Sequence, residues 1–164
     1  MGLKFGEKYT NTKSLRYGHL MIMTDQDVDG SHIKGLIINF IHFYWPELLK
    51  IDGFLREFIT PIVKAKKGKQ NLTFFTLPEY YDWKKEIQEK GEKGWNIKYY
   101  KGLGTSDKTE AKEYFSDLDT HQLDFSWSGD SDGKNIDMAF GKDADARKEW
   151  MRKFKVNEIS AKFH

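Results

Sequence analysis

His19-Leu20-Met21-Ile22-Met23-Thr24-Asp25-Gln26-Asp27-Val28-Asp29-Gly30-Ser31 decides how this chain is read. A short apolar run leads into three aspartates at alternating positions, a glycine, and then an amphipathic stretch. The apolar run predicts a buried strand over His19–Thr24. Beyond it, Ile33, Leu36, Ile37, Phe40, Ile41 and Tyr44 recur at helical spacing on one face. That predicts a helix with Ser31 as its N-cap and Pro46 at its end. A strand running straight into a long amphipathic helix is half of a βαβ unit, so an α/β fold with a parallel sheet is expected. Like charges packed this closely resist ionisation unless a cation offsets them. Oxygen-only donors suit Mg²⁺, which takes one or two carboxylates and fills its other positions with waters and phosphate oxygens. Asp25, Asp27 and Asp29 are therefore candidate Mg²⁺ ligands at the carboxyl end of a strand, placed for phosphoryl transfer.

Two other readings compete for the same residues. An EF-hand loop needs a bidentate Glu at its twelfth position, and counting from Asp25 that position is Leu36. A solvated acidic loop is the plainer reading, weakened by the apolar strand beside it.

The chain has 164 residues, enough for one ordinary domain with a real core. Its 38% hydrophobic and 32% charged residues suit a soluble globular protein. There are no cysteines, which excludes disulfides and thiolate metal sites. No apolar run reaches the length of a membrane span and no signal peptide is visible, so an intracellular protein without a membrane partner is expected. A net charge of only +2 does not announce a nucleic-acid binder, so any DNA contact must come from local clusters of Lys and Arg.

Further along, Phe58–Val63 reads as a second strand, with Pro61 marking an edge or a bulge. The basic run Lys64–Gln70, followed by Leu72–Leu77, reads as a hairpin with a solvated basic tip. Pro78 to Lys90 predicts a helix with Pro in its first turn, and Trp95–Tyr100 another strand. Thr105 or Ser106 can cap a helix running to Leu118. Asp130 and Asp132 read as turn residues, and Asp143–Phe154 as a last, charged helix. His32 and His42 have no partner at ligand spacing and read as structural. Lys101-Gly102-Leu103-Gly104-Thr105-Ser106 joins a strand to a helix. Its two glycines permit a sharp turn and a close approach to a ligand. The ending of a P-loop is missing, so the motif taken alone reads first as a plain turn.

Taken together, these motifs resemble the Toprim region of type IIA DNA topoisomerases. The stretch Tyr17–Gly35 is similar to the family's acidic motif. Tyr99-Tyr100-Lys101-Gly102-Leu103-Gly104-Thr105-Ser106 and Arg147-Lys148-Glu149-Trp150 follow in the family's order. Gln26, where the bacterial motif usually has Ala, and Thr105-Ser106, where it usually has Glu-Met, point to the eukaryotic branch. The resemblance runs from about residue 3 to about residue 154.

The resemblance implies a Toprim-type, Rossmann-like parallel sheet flanked by helices. It lacks its first strand and carries a hairpin-containing insertion. It implies a Toprim part over 13–118 and a connector with a charged helix over 119–164. Asp25 and Asp27 become metal ligands, with Asp29 a nearby carboxylate of the same site and Mg²⁺ the cofactor; Mn²⁺ or Ca²⁺ can substitute in binding. Lys101, Arg147 and Lys148 match positions near double-stranded DNA. The nucleophilic tyrosine, the ATP-hydrolysing domain and the acidic residue of the first Toprim strand belong to parts of the family that this stretch does not match. The expectations are therefore an enzyme that cleaves and rejoins a DNA duplex, a homodimer, a nuclear location, and no relaxation of DNA by this chain alone. The segment around Lys142-Asp143-Ala144 has fewer lysines than the family's. Two rivals remain: another Mg²⁺ enzyme of the nuclease or primase kind, and a non-catalytic module that binds DNA or a partner.

Overall fold

The apolar run forms the expected strand, and the aspartates follow it directly. The computed structural model describes residues 1–100 and 102–153. In chain order its elements are β1 (Leu20–Met23), α1 (Val28–Tyr44), β2 (Leu55–Phe58), β3 (Val63–Lys67), β4 (Gln70–Phe74), α2 (Leu77–Glu89), β5 (Asn96–Tyr99), α3 (Lys108–Ser116), β6 (Gln122–Asp124), α4 (Asp130–Phe140) and α5 (Ala144–Lys153). Short 3₁₀ turns occupy Pro46–Lys50 and Leu103–Thr105.

The strands form two three-stranded sheets. In the first, β1 runs parallel to β2, with Leu20 opposite Leu55 and Met23 opposite Phe58, and β6 pairs antiparallel on the other side of β2. The second, in the order β4-β3-β5, is antiparallel throughout. The fold is thus mixed α/β, with one parallel pair among the described strands.

The expected strand over Phe58–Val63 is instead a crossing between the sheets. Pro61 has no N–H to donate, so a ladder cannot run through it. On one side Ile59 N–H bonds the His121 carbonyl in the first sheet; on the other, Ile62 N–H bonds the Phe74 carbonyl in the second. The hairpin forms as β3–β4, but Lys64–Lys67, expected in its solvated basic tip, are paired strand residues, and the turn is confined to Gly68, φ +60°, a backbone conformation that favours glycine, and Lys69. The basic tip lies beyond the paired residues Lys67 and Gln70.

Helix starts differ from expectation in two places. Helix α1 begins at Val28, capped by the Asp27 carboxylate, which accepts the Gly30 N–H at 2.7 Å; Ser31 lies one turn inside. Helix α3 is capped by Asp107, because Leu103–Thr105 are spent on a 3₁₀ turn and leave Thr105 and Ser106 outside the helix. A third difference is α4: Asp130 and Asp132 stand in its first turn, where acidic residues favour a helix N-terminus. Asp132 also accepts the Ser128 N–H at 2.6 Å.

The first core gathers Ile22, Ile41, Trp45, Leu48, Leu49, Phe54 and Leu55, with Tyr9 from the leading segment and Phe125, Trp127 and Ile136 from the later chain. Each such large side chain removed from water contributes about 1.5–3 kcal/mol. The second core packs Val63, Ala65 and Phe74 against Tyr80, Trp83 and Trp95. Helix α4 lies against α1. A Cβ on Gly35 would overlap the Phe140 ring, and the His42 ring stacks on Trp127 at 5.8 Å. His32 stacks on Phe140 at 5.9 Å, so both histidines have packing roles.

The face of α1 predicted to be buried is only partly so. Ile41 is 3% exposed, yet Ile33, Leu36 and Phe40 are 47–49% exposed. Strand β1 also ends its sheet, and residues 1–19 form turns and no strand, so its outer edge has no strand partner among the described residues. An open edge beside uncovered apolar surface favours pairing with another chain. The isolated chain is expected to self-associate. Sedimentation velocity over a hundredfold range of concentration checks this, and one unchanging monomer boundary throughout would refute it.

Candidate functional site

The acidic motif occupies the turn between β1 and α1, and the Gly-Leu-Gly loop lies over it. Asp25 Oδ1 accepts the Leu103 N–H at 2.7 Å across 78 residues of sequence. The approach is so close that a Cβ on Gly102 would sit 2.6 Å from the Asp25 carboxyl carbon. Gly30 is under a similar constraint, because a Cβ there would overlap the Asp25 carbonyl oxygen. These two glycines are therefore needed for close approach rather than for an unusual φ. Gln26 ties the turn to the second strand, donating through Nε2 to the Phe58 carbonyl at 3.1 Å. Below it, Lys34 of α1 pairs with Glu57 of β2.

Asp27 is engaged as the α1 cap, and Asp29 is exposed in the first helical turn. The structure brings Asp25 together with the glycine loop, but no group of three His, Asp or Glu side chains converges at metal-ligand geometry among the described residues. Mg²⁺ needs only one or two carboxylates, so the donor set still fits it. The Thr24 hydroxyl, next to Asp25, is buried without a hydrogen-bond partner among the described residues.

The DNA candidates are differently placed. Arg147 closes the end of α4, its Nε donating to the Met138 carbonyl at 3.2 Å and its Nη2 to the Gly141 carbonyl at 2.6 Å. Lys148 forms an exposed pair with Asp145 on the same helix. Lys101 lies outside the described residues, as do residues 154–164.

One group of residues escaped the sequence reading. The Glu110 carboxylate accepts from Tyr100 O–H, from Lys98 Nζ at 3.0 Å and from the Asp107 N–H at 2.9 Å. Burial pushes the Glu110 carboxyl up, but the Tyr100, Asp107 and Lys98 donors outweigh it and bring it down to about 2. Burial, and then the Glu110 bond, push the Tyr100 hydroxyl well above the usual range for tyrosine. The contribution of Glu110 to stability is thus full above the ordinary carboxyl value of 4.5 and is lost as pH falls toward about 2. The available signal was Asp107-x-x-Glu110, which is a capping box.

Residues 58–163 match the family model described as the C-terminal associated domain of TOPRIM. The chain belongs to that family. Its TOPRIM-associated sequence is 58% identical over 153 residues to the probable DNA topoisomerase 2 of Dictyostelium discoideum, covering 92% of this chain and 10% of that protein. It is 57% identical to DNA topoisomerase 2 of Arabidopsis thaliana, covering 94% of this chain and 11% of the relative. With human DNA topoisomerase 2-beta it shares 54% identity, over 100% of this chain and 10% of the relative. The chain thus spans about a tenth of the length of these curated relatives. Its fold superimposes with a TM-score of 0.88 on the Plasmodium falciparum topoisomerase II DNA-binding, cleavage and re-ligation domain, at 57% identity, covering 94% of this chain and 21% of that one. These matches bear out the resemblance to eukaryotic type IIA topoisomerases.

Proposed function

We propose that this chain is the Mg²⁺-binding Toprim part of an ATP-dependent type IIA DNA topoisomerase, which cleaves one DNA duplex and rejoins it after passing another through. The observation that carries the reading is the junction of β1 and α1, where Asp25, Asp27 and Asp29 follow the strand and the Gly102–Leu103 backbone closes on Asp25. A Mg²⁺ ion held there would stabilise charge on the phosphate oxygens of the scissile bond. Asp25 and Asp27 would hold it, with Asp29 adding negative charge at the rim. Asp27 also keeps the first turn of α1 in place, so the ligand is fixed by its own helix. Lys101, Arg147 and Lys148 would meet DNA phosphates, contacts that set position and carry little sequence information. The nucleophilic tyrosine, the ATP site, the first acidic strand on the open edge of β1, and a second subunit would come from the remainder of the enzyme, acting in the nucleus.

Titrating the ¹⁵N-labelled chain with Mg²⁺ tests the reading. Amide shifts are expected over Thr24–Gly30 at millimolar concentrations, since Mg²⁺ parts reluctantly with its waters and one protein ligand lies elsewhere. Shifts concentrated at Asp130–Gly133 instead would move the metal site away from this motif.

A further inference from the structure

The loop that lies over Asp25 is held at both ends by a single carboxylate. At its entry, Tyr100 is buried, its N–H bonded to the Ile62 carbonyl at 2.9 Å and its hydroxyl donating to Glu110. At its exit, the Asp107 N–H donates to the other Glu110 oxygen at 2.9 Å, while the Asp107 carboxylate caps the helix that carries Glu110. Lys98, one residue pair back along β5, reaches both Glu110 oxygens at 3.0–3.1 Å. Lys64 of β3 approaches the same carboxylate at 3.9 Å. The loop between has two glycines, the residues with the most conformational freedom to lose. Yet its Leu103 N–H sits 2.7 Å from Asp25 Oδ1.

We propose that Glu110 is a positioning residue for Asp25. Its carboxylate joins the end of β5 to the start of α3, which fixes the Gly102–Ser106 loop, and the Leu103 N–H of that loop sets the rotation of the Asp25 carboxyl group. The inference rests on the reading of Asp25 as a metal ligand. In this proposal Glu110 is not itself a metal ligand. It acts through two backbone segments, and its place outside the ligand set is that of the outer partners that orient metal-binding side chains elsewhere. Burial makes the role specific, since the Glu110 side chain is 15% exposed and that of Glu113, one turn on, is 66% exposed and, among the described residues, ion-paired with Lys64 alone at 3.5 Å.

The test uses the ¹⁵N-labelled chain and Mn²⁺ as probe. In the wild type, Mn²⁺ should broaden the amides of Asp25–Asp29 and of Leu103. In Glu110→Gln, which keeps the shape but loses the charge and one acceptor, amide exchange at Leu103 should quicken about tenfold as the loop opens locally. Mn²⁺ affinity should fall about tenfold, the scale of losses from outer-shell partners. Tyr100→Phe, which releases only the entry of the loop and leaves the cores intact, should show both effects in smaller measure. Glu113→Gln should show neither. Unchanged Leu103 exchange and unchanged Mn²⁺ affinity in both Glu110→Gln and Tyr100→Phe would overturn the proposal. Equal losses in Glu113→Gln would overturn it too, by showing a general charge effect. Absence of broadening at Asp25–Asp29 in the wild type would overturn the metal reading itself, and that is seen before any variant is made.

Discussion

Asp27→Asn is expected to cut DNA cleavage about a hundredfold while leaving the fold intact, when carried into a complete topoisomerase 2. The carboxylate has two tasks. Its Oδ1 accepts the Gly30 N–H at 2.7 Å and so caps α1; its charge, in the proposed function, holds Mg²⁺. Asn caps a helix about as well as Asp, so Asp27→Asn retains the first task and removes the second. Loss of one charge-stabilising group costs about 10²–10³ in rate. Asp27→Ala removes both, and should add about 1 kcal/mol of destabilisation from the lost cap. The pair of variants separates mechanism from folding. Quantifying covalently cleaved DNA in Mg²⁺, beside the melting temperature of each variant, makes the comparison. Wild-type cleavage by Asp27→Asn would remove the charge of Asp27 from the mechanism. Equal melting losses in both variants would remove the cap.

Much of this was legible from the sequence where the signal is local. The β1–α1 junction was read from the switch of hydrophobic period at Asp25–Gly30. Helix α2 was read from Pro78 in its first turn, where the structure adds a capping box between Thr76 and Glu79. The α1 start was misplaced because Asp27 carries two signals at once, and the sequence alone offers Ser31 as an equally good cap. What failed depends on residues far apart in the chain. Phe58–Val63 is continuous as a pattern, and only the partners of Ile59 and Ile62 reveal that it changes sheets at Pro61. The stretch Gly129–Gly133 has turn composition, and it becomes helical because tertiary contacts outweigh propensity. Gly133 fits against His42 and Trp127, and Phe140 against Gly35. At the site, the aspartates and the glycine loop were each visible, but their contact was not, since no local pattern encodes a bond between Asp25 and Leu103. The Glu110 network was hidden for the same reason: Lys98 of β5, Tyr100 just after it and Glu110 of α3 lie on opposite sides of the loop.

Gly30→Ala is expected to be the most damaging single-methyl change in the chain, lowering the melting temperature by about 10 °C and abolishing Mn²⁺ binding at Asp25–Asp29. Two effects oppose each other. Alanine is the better helix former by about 0.8–1.0 kcal/mol, which alone would stabilise α1. Against it, the new Cβ would overlap the Asp25 carbonyl oxygen and lie 3.2 Å from Asp27 Oδ1. That obstacle is backbone, with no flexible side chain to swing aside, so the turn itself must move. Overpacking of this kind costs about 1–3 kcal/mol and occasionally more, and an overlap with main chain belongs at the upper end. A net loss of about 2–3 kcal/mol is large beside the 5–15 kcal/mol that holds a typical domain together, and about 2–4 °C per kcal/mol for a chain of this size puts the shift on the order of 10 °C. The displaced segment is the one that carries Asp25 and Asp27, so the metal site fails with it. Gly104→Ala supplies the control, because a Cβ there meets nothing within 4 Å. Calorimetry on both variants, with Mn²⁺ broadening measured well below the melting point, decides the matter. A Gly30→Ala chain as stable as Gly104→Ala, with broadening at Asp25 retained, would mean that the turn under the aspartates is looser than its geometry requires.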